Sequence, residues 1–419
     1  MILFVVSVFC LLLIFAVRYS SPFYAFLLIV ATKSIVDATW QTRVGPFSLT
    51  SVEGIILVIL YVSAYRTNAV SKEWRKLGFL LFFLLSFSLV FSFFTEPMSV
   101  LESLVLNLNI LLGFFLVPML VNSREKFRKF LIAILVAGIF PIAVSIYQKY
   151  TGFSWSERST AGLARMVGVY HDAFPVRFYG EFTLLAGLMY LRFFAVRRIY
   201  QKWLIYILML GAIFSIYHIF SKAAVAILVS WSMILIIFSK NRIRFSLLLL
   251  SFAVIAPFLL GDSIEQNILQ LFSREIQVRE GVLDSRYALA GRGTIWEAYW
   301  DFWLHDQHAF FQIFGDGISR PAHNEYFRIL LLSGVFGLCL YVVFLFRVVS
   351  VVLSSNKNFK PYVLMLLAMY LVDAIGLTPG EYYFYNILTW GFVGLMYRND
   401  SAFSRSMFQT PYGTSTKRY

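Results

Sequence analysis

Along almost the whole chain, long apolar runs alternate with short polar connectors. The runs have the length needed to cross a hydrocarbon layer about 30 Å thick. The pattern predicts spans near 2–17, 22–37, 51–65, 77–94, 100–121, 130–147, 174–196, 203–220, 222–238, 244–260, 324–346, 361–376 and 381–397. The first two are the weakest, and the second carries Lys33 and Asp37, which reads as a short, tilted or re-entrant segment. The expected fold is all-α and integral to the membrane, a polytopic bundle of about 12–14 transmembrane helices in one domain over residues 1–398.

The connectors add orientation. Arg66, Lys72, Arg75 and Lys76 share one connector, and Arg124, Lys126, Arg128 and Lys129 lie in the next but one. The alternation continues through Arg197, Arg198 and Lys202, then Lys240, Arg242 and Arg244, then Arg347, Lys357 and Lys360. The intervening short loops 95–98 and 376–380 contain no Lys or Arg. By the positive-inside rule the basic side is cytoplasmic, as is the polar tail 399–419, expected to be disordered. Two longer loops, about 149–173 and 262–322, then face outward. The second is no linker: Ile264, Ile268, Leu271 and Phe272 recur at helical spacing, as do Trp296, Tyr299, Trp300 and Trp303. A Trp-rich stripe suits either a helix lying in the head-group layer or a packed lid helix.

Composition agrees and removes some function classes. Hydrophobic residues make up 59% and charged residues only 14%, against about 25% charged in soluble domains; the mean hydropathy is +0.74. The net charge of +14 sits in the short connectors, which fits anionic head groups and argues against nucleic acid. Cys10 and Cys339 both lie in apolar runs, so no disulfide framework is expected. The segment 2–17 has no basic n-region or small-residue cleavage site and reads as a retained helix. No P-loop, CxxC pair, HExxH motif or internal repeat is present, leaving ATP hydrolysis and a zinc site without support.

The long loop ends in a dense string: Gly291-Arg292-Gly293-Thr294-Ile295-Trp296, then Phe314-Gly315-Asp316-Gly317, then Ala322-His323-Asn324-Glu325-Tyr326, followed by a helix containing Gly334 and Gly337. This order resembles the O-antigen polymerase and O-antigen ligase superfamily of integral membrane glycosyltransferases. Gly45-Pro46-Phe47-Ser48-Leu49-Thr50 before the third span and Arg165-Met166-Val167-Gly168 before the seventh also fit. Polymerases often carry paired Arg-x10-Gly loop motifs, a pattern that neither Arg158 nor Arg165 completes. The resemblance implies a periplasmic active site on a bacterial inner membrane and a donor glycan carried on undecaprenyl diphosphate. It also implies an acceptor that is another lipid-linked glycan (polymerase, the preferred reading) or lipid A core (ligase). A chain-length regulator is a further implied partner beside the membrane lipids.

The chemistry can be argued from residue types alone. A glycan on a polyprenyl diphosphate already has its leaving group, so the protein must hold phosphates and take a proton from the acceptor hydroxyl. Arginine forms bidentate, charge-assisted bonds to phosphate, and histidine is the side chain whose ordinary pKa suits a base near neutral pH. His323 is therefore the expected base, with Arg292 and Arg165 the expected phosphate ligands and Arg286 and Arg177 in reserve. Arg177 and Glu181, spaced i,i+4, also read as a structural ion pair. Asn324 is a natural helix N-cap; Glu325 either favours the helix dipole or orients His323. Arg320 reads as a solvated loop arginine, Asn107 and Asn109 as interhelical hydrogen bonders, and Asp373 has no specific role. Direct attack at the anomeric carbon implies inversion. No DxD-type motif occurs, so neither cofactor nor divalent metal is expected. The rival from another class is a flippase or transporter of lipid-linked oligosaccharide, which typically shows pseudo-repeats and midplane charges; here the polar residues concentrate in one loop.

Overall fold

Polar residues set where the helices begin. Side chains of Ser21, Ser48, Ser71, Ser123, Asp172, Ser221 and Asn324 each accept a backbone N–H of the turn they open, as small polar N-caps do. The computed structural model describes residues 2–44, 47–65, 70–153, 155–239, 243, 263–284, 287–354 and 358–395. Its helices are α1 (Ile2–Ser20), α2 (Pro22–Asp37), α3 (Leu49–Ala64), α4 (Lys72–Ser86), α5 (Leu89–Ser92), α6 (Pro97–Leu120), α7 (Arg124–Thr151), α8 (Ala173–Phe193), α9 (Ile199–His218) and α10 (Lys222–Phe238). Among the described residues four shorter helices follow α10: α11 (Ser263–Leu271), α12 (Ser273–Arg279), α13 (Ala288–Asp301) and α14 (Ala309–Phe314). The long α15 (Glu325–Leu353), α16 (Lys360–Gly376) and α17 (Tyr383–Leu395) follow. The predicted span 244–260, Gly45, Pro46 and the tail 399–419 lie outside the described residues.

Among the described residues six helical segments are long and apolar enough to cross a membrane: Ile2–Ser20, Lys72–Ser92, Pro97–Leu120, Arg124–Thr151, Ile199–His218 and Glu325–Leu353. Such a set is what a multi-pass membrane protein requires. The outward residues of α1 and α9, among them Phe9, Leu12, Leu204, Ile207 and Leu210, are large, apolar and exposed, a surface suited to lipid. The apolar helices α3 and α10 are shorter. The 16 residues of α2 reach only about 24 Å at 1.5 Å per residue, in keeping with a short segment.

At the centre α6 and α17 pack face to face, with Phe114 stacked on Trp390 at 5.4 Å. Trp74 of α4 donates its indole N–H to the Phe114 carbonyl (3.0 Å). Asn107 donates across to the Leu85 carbonyl at 2.8 Å, the interhelical bond expected of it. Asn109 differs, donating to Val105 within its own helix (3.1 Å).

The charges are not confined to one loop. Lys33 of α2 pairs with Asp37 and, at 3.0 Å, with Glu53 of α3. Tyr179 of α8 and Tyr383 of α17 donate to Asp37 (2.6 Å) and Glu53 (3.1 Å). The expectation that the polar residues concentrate in one loop is therefore corrected. The reason is that carboxylates and cations can be buried once they pair and collect hydroxyl donors.

Two glycines explain how the end of the long loop docks. Gly334 breaks α15 at φ 65° and ψ −171°, and a Cβ there would stand 2.2 Å from the Ile313 carbonyl oxygen. Gly315, at φ 75°, would put a Cβ 2.1 Å from the Leu332 oxygen. Backbone lies directly on backbone, which only glycine permits on both steric and conformational grounds. The Gly317 N–H then bonds the Leu332 carbonyl freed by the break (3.1 Å). Beside this dock, α13 packs as a lid: Trp296 stacks on Phe327 of α15 (6.2 Å, 19°) and donates to the Ala322 carbonyl at 3.0 Å.

Candidate functional site

A cavity of about 570 Å³ opens where α8, α10, α13 and α16 meet the loop before α15, a volume within the usual range for small-molecule sites. Arg165, Arg177, Arg292 and His323 all line it, together with Asp172 and Lys222. The three residues expected to carry the chemistry thus come from three separate segments to one place.

Each is placed by its own local structure. Arg165 follows a two-residue hairpin, β1 (Ser159–Thr160) with β2 (Leu163–Ala164), whose turn residues Ala161 and Gly162 have φ 48° and 80°. Positive φ at both positions is the turn that matches strand twist. The Arg165 Nε donates to the Ile219 carbonyl (2.7 Å), which leaves the guanidinium end at the cavity. Arg292 comes from the first turns of α13, just after Gly291 at φ 82°. Its guanidinium lies over the bare Cα of Gly376: a Cβ there would stand 2.8 Å from the Arg292 Nη1.

His323 is exposed to the cavity and holds φ 48°, a left-handed conformation uncommon for a residue with a side chain. The kink lies directly before the N-cap of α15. Asn324 caps that helix as expected, accepting from the Phe327 N–H (3.0 Å), while its amide donates to the Ile375 carbonyl (3.1 Å).

Electrostatically the cavity is short of negative charge. Arg177 is committed to Asp373 and donates to Ser221 Oγ (3.2 Å), and Lys222 holds Glu275 at 2.5 Å. Arg165 and Arg292 make no ion pair with a described residue. Both guanidinium pKa values are pushed down from the ordinary arginine value. Burial is the main cause for each; Asp172 partly offsets it, and crowding by neighbouring arginines adds to it. Half-buried cations that repel one another form a site prepared for an anion.

The remaining expected residues that the structure describes are tied to partners of their own. Glu325 is held by Arg328 through two bonds (3.0 and 2.5 Å) and accepts the Gly380 N–H at 3.3 Å, so it anchors α15 to the α16–α17 turn. Arg177 has an anchoring task, with Asp373 as its close partner and Glu181 at 3.7 Å from Nε. Arg286 lies outside the described residues. Arg320 is no solvated arginine: it grips Asp316 with two nitrogens (3.0 and 2.6 Å) and covers the Phe302 ring at 4.8 Å.

Asp172, Lys222 and Asp373 gain roles that sequence reading did not assign. Two signals were available. An Asp just before an apolar run is a helix cap, and Lys222 interrupts the inside–outside alternation of basic residues.

No protein-family model matches the chain, and no curated protein matches its sequence.

The buried pair makes its own prediction. Asp373→Asn removes the close carboxylate partner of the Arg177 guanidinium in the interior, where both residues are at most 3% exposed, and leaves Glu181 3.7 Å from Nε. Removing one partner of a buried pair costs about 3–5 kcal/mol. Thermal unfolding of the detergent-purified variant is expected to show a markedly lowered midpoint; an unchanged midpoint would contradict the anchoring role.

Proposed function

We propose that the protein is a membrane glycosyltransferase whose donor is a glycan on a polyprenyl diphosphate, most simply undecaprenyl diphosphate at the outer face of a bacterial inner membrane. The observation that carries this reading is the convergence of Arg165, Arg292 and His323 on one cation-rich cavity. Arg165 and Arg292 grip the diphosphate and stabilise its growing charge as it leaves. His323 takes the proton of the acceptor hydroxyl while that oxygen bonds to the anomeric carbon. The carbon–oxygen bond to the diphosphate breaks as the new one forms, so configuration inverts and polyprenyl diphosphate is released. Extension of a lipid-linked glycan, the polymerase reaction, is the preferred form.

A transporter of lipid-linked glycan is the second reading. The buried cluster of Lys33, Asp37 and Glu53 and the break in α15 at Gly334 favour it, since charged groups and interrupted helices within the membrane are transporter features. Gel analysis of surface glycan from a deletion strain separates the outcomes. Single-repeat caps indicate a polymerase, polymer left on the lipid carrier beside bare core indicates a ligase, and repeats retained in the inner leaflet indicate a transporter.

The same reading places the cavity outside. A cysteine replacing Gln277 in α12 is expected to react with a membrane-impermeant thiol reagent added to intact cells whose outer membrane is permeabilised. One replacing Lys126 at the start of α7 is expected to stay unlabelled. Labelling of both from that side contradicts the orientation.

A further inference from the structure

A glycosyl transfer brings two substrates together, and the main cavity accounts for only one of them. Next to it lies a smaller pocket of about 280 Å³, and Ser159, Thr160, Lys222 and Leu271 line both. The two spaces therefore share a wall formed by the hairpin edge, the first residue of α10 and the end of α11. The α11 helix is fixed to the hairpin by the Gln270 amide, which donates to the Ala161 carbonyl at 2.9 Å.

The lining has a definite chemistry. The hydroxyls of Ser159 and Thr160 make no hydrogen bond with a described residue. Arg274 completes the pocket, is exposed, and makes no ion pair with a described residue. Its neighbour Glu275 is already spent on Lys222 at 2.5 Å. Among the pocket's described cations, Arg274 is thus the one left to meet a ligand charge. Among the described residues no aromatic ring lines the pocket, and Leu271 is its one large apolar side chain. Unpaired hydroxyls beside one arginine fork suit a polar ring that bears hydroxyls and one carboxylate.

We propose that this side pocket is the acceptor-sugar subsite and that it takes an acidic sugar, held by Arg274 through its carboxylate and by Ser159 and Thr160 through its hydroxyls. The assignment rests on the glycosyltransferase reading for its purpose, but not for its binding chemistry. A sugar seated there lies against the wall shared with the cavity that His323 lines.

The test uses the full-length protein in detergent with D-glucuronate and D-glucose as probes, followed by saturation-transfer NMR. Glucuronate is expected to bind more tightly than glucose. Arg274→Ala is expected to weaken it roughly tenfold, the loss of one charge-assisted pair. Thr160→Val is expected to weaken both sugars, and Arg292→Ala to leave glucuronate binding unchanged. Equal binding of the two sugars, or glucuronate binding that survives Arg274→Ala but is lost in Arg292→Ala, overturns the assignment. In a transfer assay the same Arg274→Ala change raises the acceptor KM and leaves donor binding alone. If glucuronate binds as described while the protein transfers no glycan, the subsite stands and the glycosyltransferase reading fails.

Discussion

Replacing His323 with glycine is expected to leave a protein that inserts and folds normally but transfers glycan about 10²–10⁴-fold more slowly, the usual cost of losing a general base. The choice of glycine matters. At φ 48° a side-chain-bearing residue is held in a conformation that costs about 1–2 kcal/mol, and glycine occupies it freely. If the imidazole served only to shape the turn before α15, glycine would do that work as well or better, and activity would survive. If the imidazole takes the proton, stability holds or rises while turnover collapses. Melting midpoint and rate are measured on the same preparation, and near-normal turnover at normal stability removes His323 from the reaction.

The second large effect concerns Arg292. Arg292→Ala is expected to weaken donor binding by about 1.5–3 kcal/mol, the contribution of a hydrogen bond to a charged group. Arg292→Lys is expected to fail nearly as badly, since lysine keeps the charge and loses the planar fork. A companion change tests position rather than charge. In Gly376→Ala the new Cβ meets, among the described residues beyond its own helix turn, only the guanidinium of Arg292 within 4 Å, at 2.8 Å from Nη1. The arginine end is flexible, so the fold tolerates the methyl group, but the fork moves off its place. Displacing a binding group by about 1 Å can cost 10²-fold in rate. Full activity in both Arg292→Lys and Gly376→Ala would mean that local positive potential alone suffices.

Many of the helices are legible in the chain because the apolar run is opened by a polar cap such as Ser123, Ser221 or Asn324. Within the string from Gly291 to Gly337, Arg292 and His323 line one cavity. What the string does not distinguish is which members hold backbone and which face a ligand. Gly315 and Gly334 are packing residues, and Glu325 is tied to Arg328. Those roles depend on contacts across the fold, which spacing along one strand of sequence does not encode. The same holds for Asp373, whose partner Arg177 lies on another helix, and for Arg320, whose fork is filled by Asp316.

The most direct measurement is transfer by the purified protein in proteoliposomes supplied with polyprenyl-diphosphate-linked glycan. Free polyprenyl diphosphate and the anomeric configuration of the product are followed together. The account predicts one polyprenyl diphosphate released for each new glycosidic bond, inversion at the anomeric carbon, and loss of both signals in His323→Gly. Movement of intact lipid-linked glycan across the bilayer with no bond cleaved would contradict it.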